Sequence, residues 1–588
     1  MREHLSEEQV SAVFAPVDKN VLVIAGPGSG KTRVLTYRLA HLIDQGVCPS
    51  SIIALTFTNK AAREMKERVY GLVGERSKAT FVGTFHSLCY RALKKAGRTF
   101  RIADGVKQRQ ILKGLPSYAG IEDDHDALLM LSRAKRSAIP VDGMMGILYR
   151  DYNAVLTESG LLDFDDLIIE AQKLFDGELC DTVRSSVSSI LIDEGQDIDE
   201  QQYQLIKSLS IGASVFMTGD NMQAIYAWRS GSSKYMKSFV DDFDDVQVLP
   251  LTINFRSGAS IVELANEIAK GHDSFGKQLK SGLNTRGQAM LRVAKNENDQ
   301  LMKALSIIRQ GIGQNRTVAV LVRTGFQAGP IQGVLKRNRI QFNRRLQSDL
   351  NDATIARKFV AFYDCMSNPT PFAVGDALLM VKGVGQKTIE KVLDEYDRTL
   401  AGLRKAIEKQ TNSVRKKLAL VVRLIDLCME THVSELSPTE LVLALAHVFE
   451  LSNDNPVVKE LVDRTRDIDT TDDLAEILSL CGAFDKDVTA PVLVSTIHGV
   501  KGLEFDYVVL LNFNDCSIPH ARGHSIEEER NLLYVASTRA RYGFVAIVNS
   551  EYLYGGAVQE VSQFCYEIDS FNKELENARY KSPGGTIV

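Results

Sequence analysis

Lys31 and Thr32 end a glycine-rich turn in the stretch "VLVIAGPGSGKTRVL" (Val21 to Leu35). A turn of this composition aims several backbone N–H groups at one point. A helix opening at Lys31 adds its positive end, and together they suit a phosphate. At this spacing the Lys31 ammonium reaches the outer phosphates of a nucleotide and the Thr32 hydroxyl holds Mg²⁺. The strict pattern asks for glycine where this chain has Ala25; Gly26, Gly28, Ser29 and Gly30 complete the loop. The competing reading is a chance glycine-rich turn, and the apolar strand before it and the helix after it weigh against that.

A cation on a phosphate needs a carboxylate. "SSILIDEGQD" (Ser188 to Asp197) offers an apolar strand ending in Asp193 and Glu194. Asp193 is placed to hold Mg²⁺ through water, and Glu194 to take a proton from an attacking water. Two acids at a strand end are common, and alone they carry little. Joined to the phosphate loop they point to hydrolysis of a nucleoside triphosphate, ATP by default, and to nothing narrower.

These residues need sheets to hold them. "VLVIAG", "SIIALTF", "SILIDEG" and "SVFMTGD" are short apolar runs separated by longer segments, the pattern of a parallel sheet with helical crossovers. A second set reads "VQVLPLT", "AMLRVAK", "VAVLVR", "VLVSTIH" and "YVVLLNF". Two sets imply two α/β cores. Helix-period patterns such as "LRKAIEKQTNSVRKKLALVVRLIDLCME" dominate a later stretch. A net charge of −4 excludes a strongly basic coat, so any grip on nucleic acid must be a local cleft. The eight cysteines form no C-x-x-C pair, against a zinc or disulfide framework and for a reducing compartment. Nothing has the apolar length of a membrane span, and the start lacks a signal peptide's apolar run. A cytoplasmic protein is expected.

Further blocks follow in order: "LSEEQ", "ALTFTNKAAREM", "GTFHSL", "LLDFDDL", "IDEGQD", "GDNMQAIYAWRSG", "LTINFRS", "VAVLVRT", "STIHGVKGLEFDYVVL" and "EEERNLLYVASTRAR". The series resembles the UvrD/Rep family of superfamily 1 DNA helicases over most of the chain. "TFTNKAA", "GLEF" and "YVASTRA" are its most specific parts. The resemblance implies two RecA-like P-loop motor domains with ATP and Mg²⁺ between them, each carrying a mainly α-helical insert. The implied layout is residues 1–90 with 184–250 for the first motor domain and 91–183 for its insert. Residues 251–350 with 489–560 form the second motor domain, 351–488 its insert and 561–588 a short tail. That tail leaves no room for a nuclease domain.

Roles follow by the same resemblance. Gln9 reads the adenine edge, and Arg33 and Phe255 pack on its ring. Glu504 binds the ribose. Gln223, Arg256 and Arg539 reach the γ-phosphate, where developing negative charge must be met. Phe57, Tyr226 and Trp228 offer aromatic platforms for single-stranded DNA, and Thr58, Asn59, Lys60, Thr84, His86, Arg229 and His498 contact its backbone. The two histidines sit in no metal-ligand pattern. Trp228 is the only tryptophan. Core packing is the usual fate of such a ring; polar neighbours and the shared segment with Gln223 favour a base platform instead. "MVKGVGQKTIEKVL" (Met380 to Leu393) resembles a helix-hairpin-helix that meets duplex phosphates, with a plain tight turn as the competing reading.

Two departures stand out. Phe255 replaces the family's usual tyrosine and keeps its stacking face. Gly195 stands where a bulky residue usually follows Asp-Glu, which removes packing and puts the placement of Gln196 in doubt. The expected activity is movement on single-stranded DNA, 3′ to 5′, with unwinding at duplex junctions. Protein partners in repair, replication or defence complexes are compatible with it. Two alternatives stay open: an ATP-switched subunit that binds DNA or displaces protein with little unwinding alone, and a P-loop kinase or metabolic ATPase.

Overall fold

The computed structural model describes residues 4–118, 124–137, 142–226, 231–272, 275–345, 371–381, 383–430, 437–452, 455–465, 490–521, 525–554 and 557–580, with Gly523 and a few residues between 358 and 366. The chain divides into two compact units, Met1–Gln347 with Val488–Val588, and Ser348–Asp487.

The first unit holds two six-stranded parallel sheets. In the first sheet β1 is Val21–Ala25, β2 Ile52–Thr56, β3 Phe81–Thr84, β4 Ser189–Ile192, β5 Ser214–Gly219 and β6 Gln247–Leu251. Their order is β3-β2-β4-β5-β1-β6. Strands β1, β2 and β4 are buried along their whole length, which is why they read as unbroken apolar runs. The run "VQVLPLT" belongs here and not with the second set. It forms β6, which pairs with β1 from Val21↔Gln247 to Ala25↔Leu251. Its place at the sheet edge tolerates Pro250, and apolar content alone does not say which sheet a strand joins.

Two short strands, β7 (Ile253–Asn254) and β8 (Lys280–Ser281), pair with each other. The second sheet comprises β9 (Gln288–Ala294), β10 (Val318–Val322), β11 (Phe342–Arg345), β12 (Val492–Thr496), β13 (Phe505–Leu510) and β14 (Ala540–Asn549). Its order is β9-β14-β13-β10-β12-β11. Strand β12 follows the whole second unit in sequence, yet it lies between β10 and β11. The fold is therefore α/β, with two RecA-like parallel sheets.

Helices fill most of the described stretch between β3 and β4, with one short strand pair, Arg101–Ile102 and Leu161–Leu162. Its "LLDFDDL" block proves structural. Asp163 caps the helix Phe164–Asp176, and Lys135, on the helix Asp124–Ser137, sits at 2.7 Å from both Asp163 and Asp166 with 1% of its side chain exposed. Arg136 pairs with Asp165 at 2.6 Å. Buried charges need partners of this kind.

The second unit is helical among the described residues, with a core that includes Phe359, Leu403, Val421 and Leu445. The long helical pattern resolves into three helices, Leu400–Glu408, Asn412–Lys417 and Ala419–Glu430. In the glycine turn before the helix Gln386–Asp394, Gly383 has φ +83° and its carbonyl accepts from Lys417 Nζ at 2.9 Å. Among the described residues no helix is long and apolar enough to cross a membrane.

Candidate functional site

The phosphate loop joins β1 to α2 (Lys31–Asp44). Gly28 and Gly30 have φ +67° and +85°, which side chains other than glycine adopt at a cost. Neighbours also crowd them. A Cβ on Gly28 would meet Asn254 Oδ1 at 2.9 Å, one on Gly30 would meet Gln9 Nε2 at 2.8 Å, and Leu279 lies against Gly26. Lys31 is partly buried and its Nζ donates to Ala25 O at 3.4 Å. Burial lowers its pKa, and Asp220, Glu194 and Asp193 oppose that shift.

Gln9 is built into the loop. It sits on α1 (Glu7–Val13) in a capping box with Ser6, and its Nε2 donates to Ser29 O at 2.8 Å. The base-reading candidate is thus fixed to the phosphate cradle by its own side chain. Arg33 lies over the Tyr37 ring at 5.7 Å. Phe255 is 45% exposed and its N–H donates to Gly28 O at 2.9 Å.

Asp193 and Glu194 leave the end of β4 on the side facing the loop. Asp193 Oδ1 accepts from Thr218 Oγ1 and from the Glu194 N–H, both at 3.0 Å. Burial, reinforced by the Glu194 charge, pushes Asp193 up to about 6. The other carboxylate oxygen and the Thr32 hydroxyl are hard donors of the kind Mg²⁺ takes, so the residues present fit that ion. Glu194 has φ 55° and ψ 45°, a left-handed conformation unusual for a non-glycine and typical of functional turns. Burial works against its charge, but Lys31, Lys501, Gln196 and Arg539 outweigh it and hold its pKa below the usual carboxylate range.

Gly195 has a clear structural reason. A Cβ there would meet Met217 Cγ at 2.7 Å and Sδ at 2.8 Å. Met217, on β5 and fully buried, takes the space that a side chain at 195 would fill, so packing is replaced rather than lost. Gln196 is held: its Oε1 accepts from the Asp220 N–H at 2.9 Å and its Nε2 donates to Glu194. Gly195→Phe should therefore destabilise the protein by about 1–3 kcal/mol in thermal unfolding, as overpacking does. Met217→Ala in the same chain should recover part of it.

Four residues approach from the second sheet's side. Arg256 Nε donates to Glu504 Oε2 at 2.6 Å, and Arg541 pairs with the same carboxylate. Burial works to raise Glu504, but Arg541 and Arg256 outweigh it and keep it charged. Arg539 is 2% exposed, and its guanidinium donates to Gln223 Oε1 at 3.3 Å. Burial and the nearby Arg256 push its pKa down to about 9, still above neutral.

Gln223 lies in the loop after β5, and this loop belongs to both sheets. Met222 and Ile225 are buried in the core of the second sheet, among Ile261, Leu532 and Phe544. Polar contacts repeat the pattern. Asn531 donates to Ala224 O at 2.9 Å, and Lys501 donates to Gln223 O at 2.8 Å and pairs with the buried Asp197. Burial, with Glu194 adding to it, pushes Asp197 up to about 7 against the pull of Lys501. Asp197, Asp220, Lys277, Lys501 and Asn531 are the site residues that sequence reasoning did not single out. Asp197, Asp220, Lys501 and Asn531 lie inside quoted blocks, so only the choice of residue was missed. Lys277, in "FGKQLK", carries no motif signal.

The nucleic-acid candidates gather beside this loop. A cleft of about 160 Å³ is lined by Phe57, Thr84, His86 and Tyr226, with Arg136 and Asp199. The Phe57 and Tyr226 rings stack on each other, centroids 5.3 Å apart and 13° from parallel, with Phe57 37% exposed. Lys501 lies over the Tyr226 ring at 4.9 Å, and His498 is 6.5 Å from it. Thr58 and Thr84 cap two helix starts, Thr58 accepting from Ala61 N and Thr84 from Ser87 N. Asn59 and Lys60 are the first residues of the helix Asn59–Val73, where free N–H groups suit a phosphate. Trp228 and Arg229 lie outside the described residues.

The model of the UvrD/REP helicase N-terminal domain matches residues 5–244, and that of the UvrD-like helicase C-terminal domain matches residues 249–551. The chain is 28% identical to the ATP-dependent DNA helicase PcrA of Staphylococcus aureus over 635 aligned positions, covering 96% of this chain and 86% of that protein. It is also 28% identical to PcrA of Bacillus subtilis (strain 168), covering 89% and 80%, and 26% identical to PcrA of Staphylococcus epidermidis, covering 92% and 82%. With both domain models matched in order across two parallel sheets that share one loop, this chain belongs to the UvrD/Rep helicase family.

Proposed function

We propose that this chain is a cytoplasmic ATP-dependent DNA helicase that moves 3′ to 5′ on single-stranded DNA and unwinds duplex at single-strand junctions. The observation that carries the reading is the loop from Asp220 to Tyr226. One of its residues meets Arg539 in the nucleotide cleft, and another lines the aromatic cleft a few residues later. A change at the phosphates is thus a change in the strand platform. The polarity rests on the family resemblance.

In this mechanism the loop N–H groups and Lys31 hold the phosphates, and Gln9 and Phe255 bracket the base. Thr32 and Asp193 would hold Mg²⁺, which would supply positive charge against the phosphates when bound. Glu194 orients the attacking water and takes its proton. Gln223, Arg256 and Arg539 stabilise the charge that builds on the transferring phosphoryl group. Because the arginines come from the second sheet's side, hydrolysis follows closure of the cleft. Phe57 and Tyr226 stack with bases, at about 1–3 kcal/mol each and without sequence preference. The glycine turn at 383–385 offers backbone N–H groups to duplex phosphates.

Strand displacement on 3′-tailed, 5′-tailed and blunt duplexes tests the reading. The expected result is ATP-dependent displacement of the 3′-tailed substrate alone. DNA-stimulated hydrolysis without displacement on any substrate would favour a nucleotide-switched DNA-binding subunit. Hydrolysis indifferent to single-stranded DNA would sink both.

A further inference from the structure

Asp220 is completely buried, and the cation held against it is Lys277. Lys277 Nζ lies 2.7 Å from Asp220 Oδ1 and donates to Asn221 Oδ1 at 3.0 Å, with only 3% of its side chain exposed. The Lys31 ammonium of the phosphate loop feels the same charge: burial lowers its pKa, and Asp220, ahead of Glu194 and Asp193, opposes that shift. The second Asp220 oxygen accepts from Gln223 Nε2 at 2.6 Å, and Gln223 Oε1 in turn accepts from Arg539. Asp220 therefore stands between the lysine of the phosphate loop and the glutamine that faces the arginine. A buried carboxylate keeps its charge only beside a cation, and it takes whichever is held nearest.

We propose that Lys277 is a positioning residue: it claims the Asp220 carboxylate, which leaves the Lys31 ammonium for the nucleotide phosphates and holds Gln223 toward Arg539. Two further features fit this role. Leu279, two residues along the same segment, lies against Gly26 of the phosphate loop, so the segment is registered on the loop it serves. The Leu279 N–H and carbonyl are both tied to the Asn266 side chain at 2.9 Å, which anchors the segment on the helix Ala259–Ala269. Lys277 touches no nucleotide position itself. Its effect runs through Asp220, and the inference rests on the ATP-binding reading above.

The test is binding of a non-hydrolysable ATP analogue by calorimetry, with melting temperature recorded for each variant. Lys277→Met should weaken binding about tenfold or more, because Asp220 then captures Lys31. Adding Asp220→Asn to that variant should restore affinity to within about threefold of the parent, because the competing carboxylate is gone. Lys277→Arg should bind like the parent. A purely structural Lys277 would lower the melting temperature without this pattern of loss and rescue. The proposal is overturned if Lys277→Met binds normally, or if the folded double variant binds as weakly as the single one. Should Lys277→Met fail to fold, Lys277→Gln takes its place, alone and with Asp220→Asn, with the same loss and rescue expected and the same outcomes overturning the proposal. A parent protein that binds no analogue would sink the ATPase reading instead.

Discussion

Lys31→Ala should lower ATP hydrolysis by about 10³-fold and leave single-stranded DNA binding within about twofold of the parent. The magnitude follows from removing a preorganised charge aimed at the transferring phosphate, where a single donor is already worth about 10²–10³ in rate. The selectivity follows from geometry. Lys31 lies at the end of β1 beside Asp193 and Asp220, whereas the aromatic cleft is built from the ends of β2 and β3 with Tyr226. Asp197 borders both sets, lining the cleft while feeling the Lys31 charge, but the Lys31 side chain itself does not reach the aromatic rings' cleft. Lys31 is also only partly buried, so its truncation opens no core cavity. Steady-state hydrolysis and fluorescence anisotropy with an oligonucleotide check both halves. Collapse of DNA binding in a protein that still melts normally would mean the two sites are not separate.

Arg539→Ala is expected to lower kcat by about 10³–10⁵-fold, the worth of an arginine that meets transition-state charge from across a cleft. The guanidinium is already oriented, with donors on Val535 O and Gln223 Oε1. It therefore meets developing charge with little reorganisation. Because the side chain is 2% exposed, truncation also leaves a cavity, and stability must be measured alongside. Arg539→Lys separates the effects. It keeps the charge and most of the volume but loses the planar fork, so it should melt close to the parent and still hydrolyse ATP at least about 10²-fold more slowly. A lysine variant with parental kcat would reduce Arg539 to packing.

The phosphate-loop turn and the strand ending in two acids were legible because their geometry is local in sequence. A glycine turn before Lys31 and an apolar strand before Asp193 each reveal their geometry within about ten residues. Arg256 and Arg539 were legible only through family resemblance, since nothing near an isolated arginine tells which cleft it enters. The "VQVLPLT" run shows a different limit. Its apolar content announces a strand, but sheet membership is decided by pairing with β1, more than two hundred residues earlier. Asp220 and Lys277 show a third. Their roles come from a 2.7 Å contact between segments whose sequences give no sign of each other. Gly195 was readable only as an anomaly, because the side chain that explains it, Met217, sits on a neighbouring strand.

The burial of Met222 and Ile225 relocates the seam of the motor. By sequence the two halves part near Leu251, where β6 ends. By packing, Met222 and Ile225 already belong to the second half. Drawing both side chains out of that core would cost about 3–6 kcal/mol, at about 1.5–3 for each. An opening motion that keeps them seated would instead bend the backbone between the end of β5 and Met222. The fracture line then runs through a loop encoded with the first half and carried by the second. On the proposed reading, Gln223 and Tyr226 would travel with the half they were not translated with, and the cleft for phosphate and the cleft for the strand would widen in a single movement.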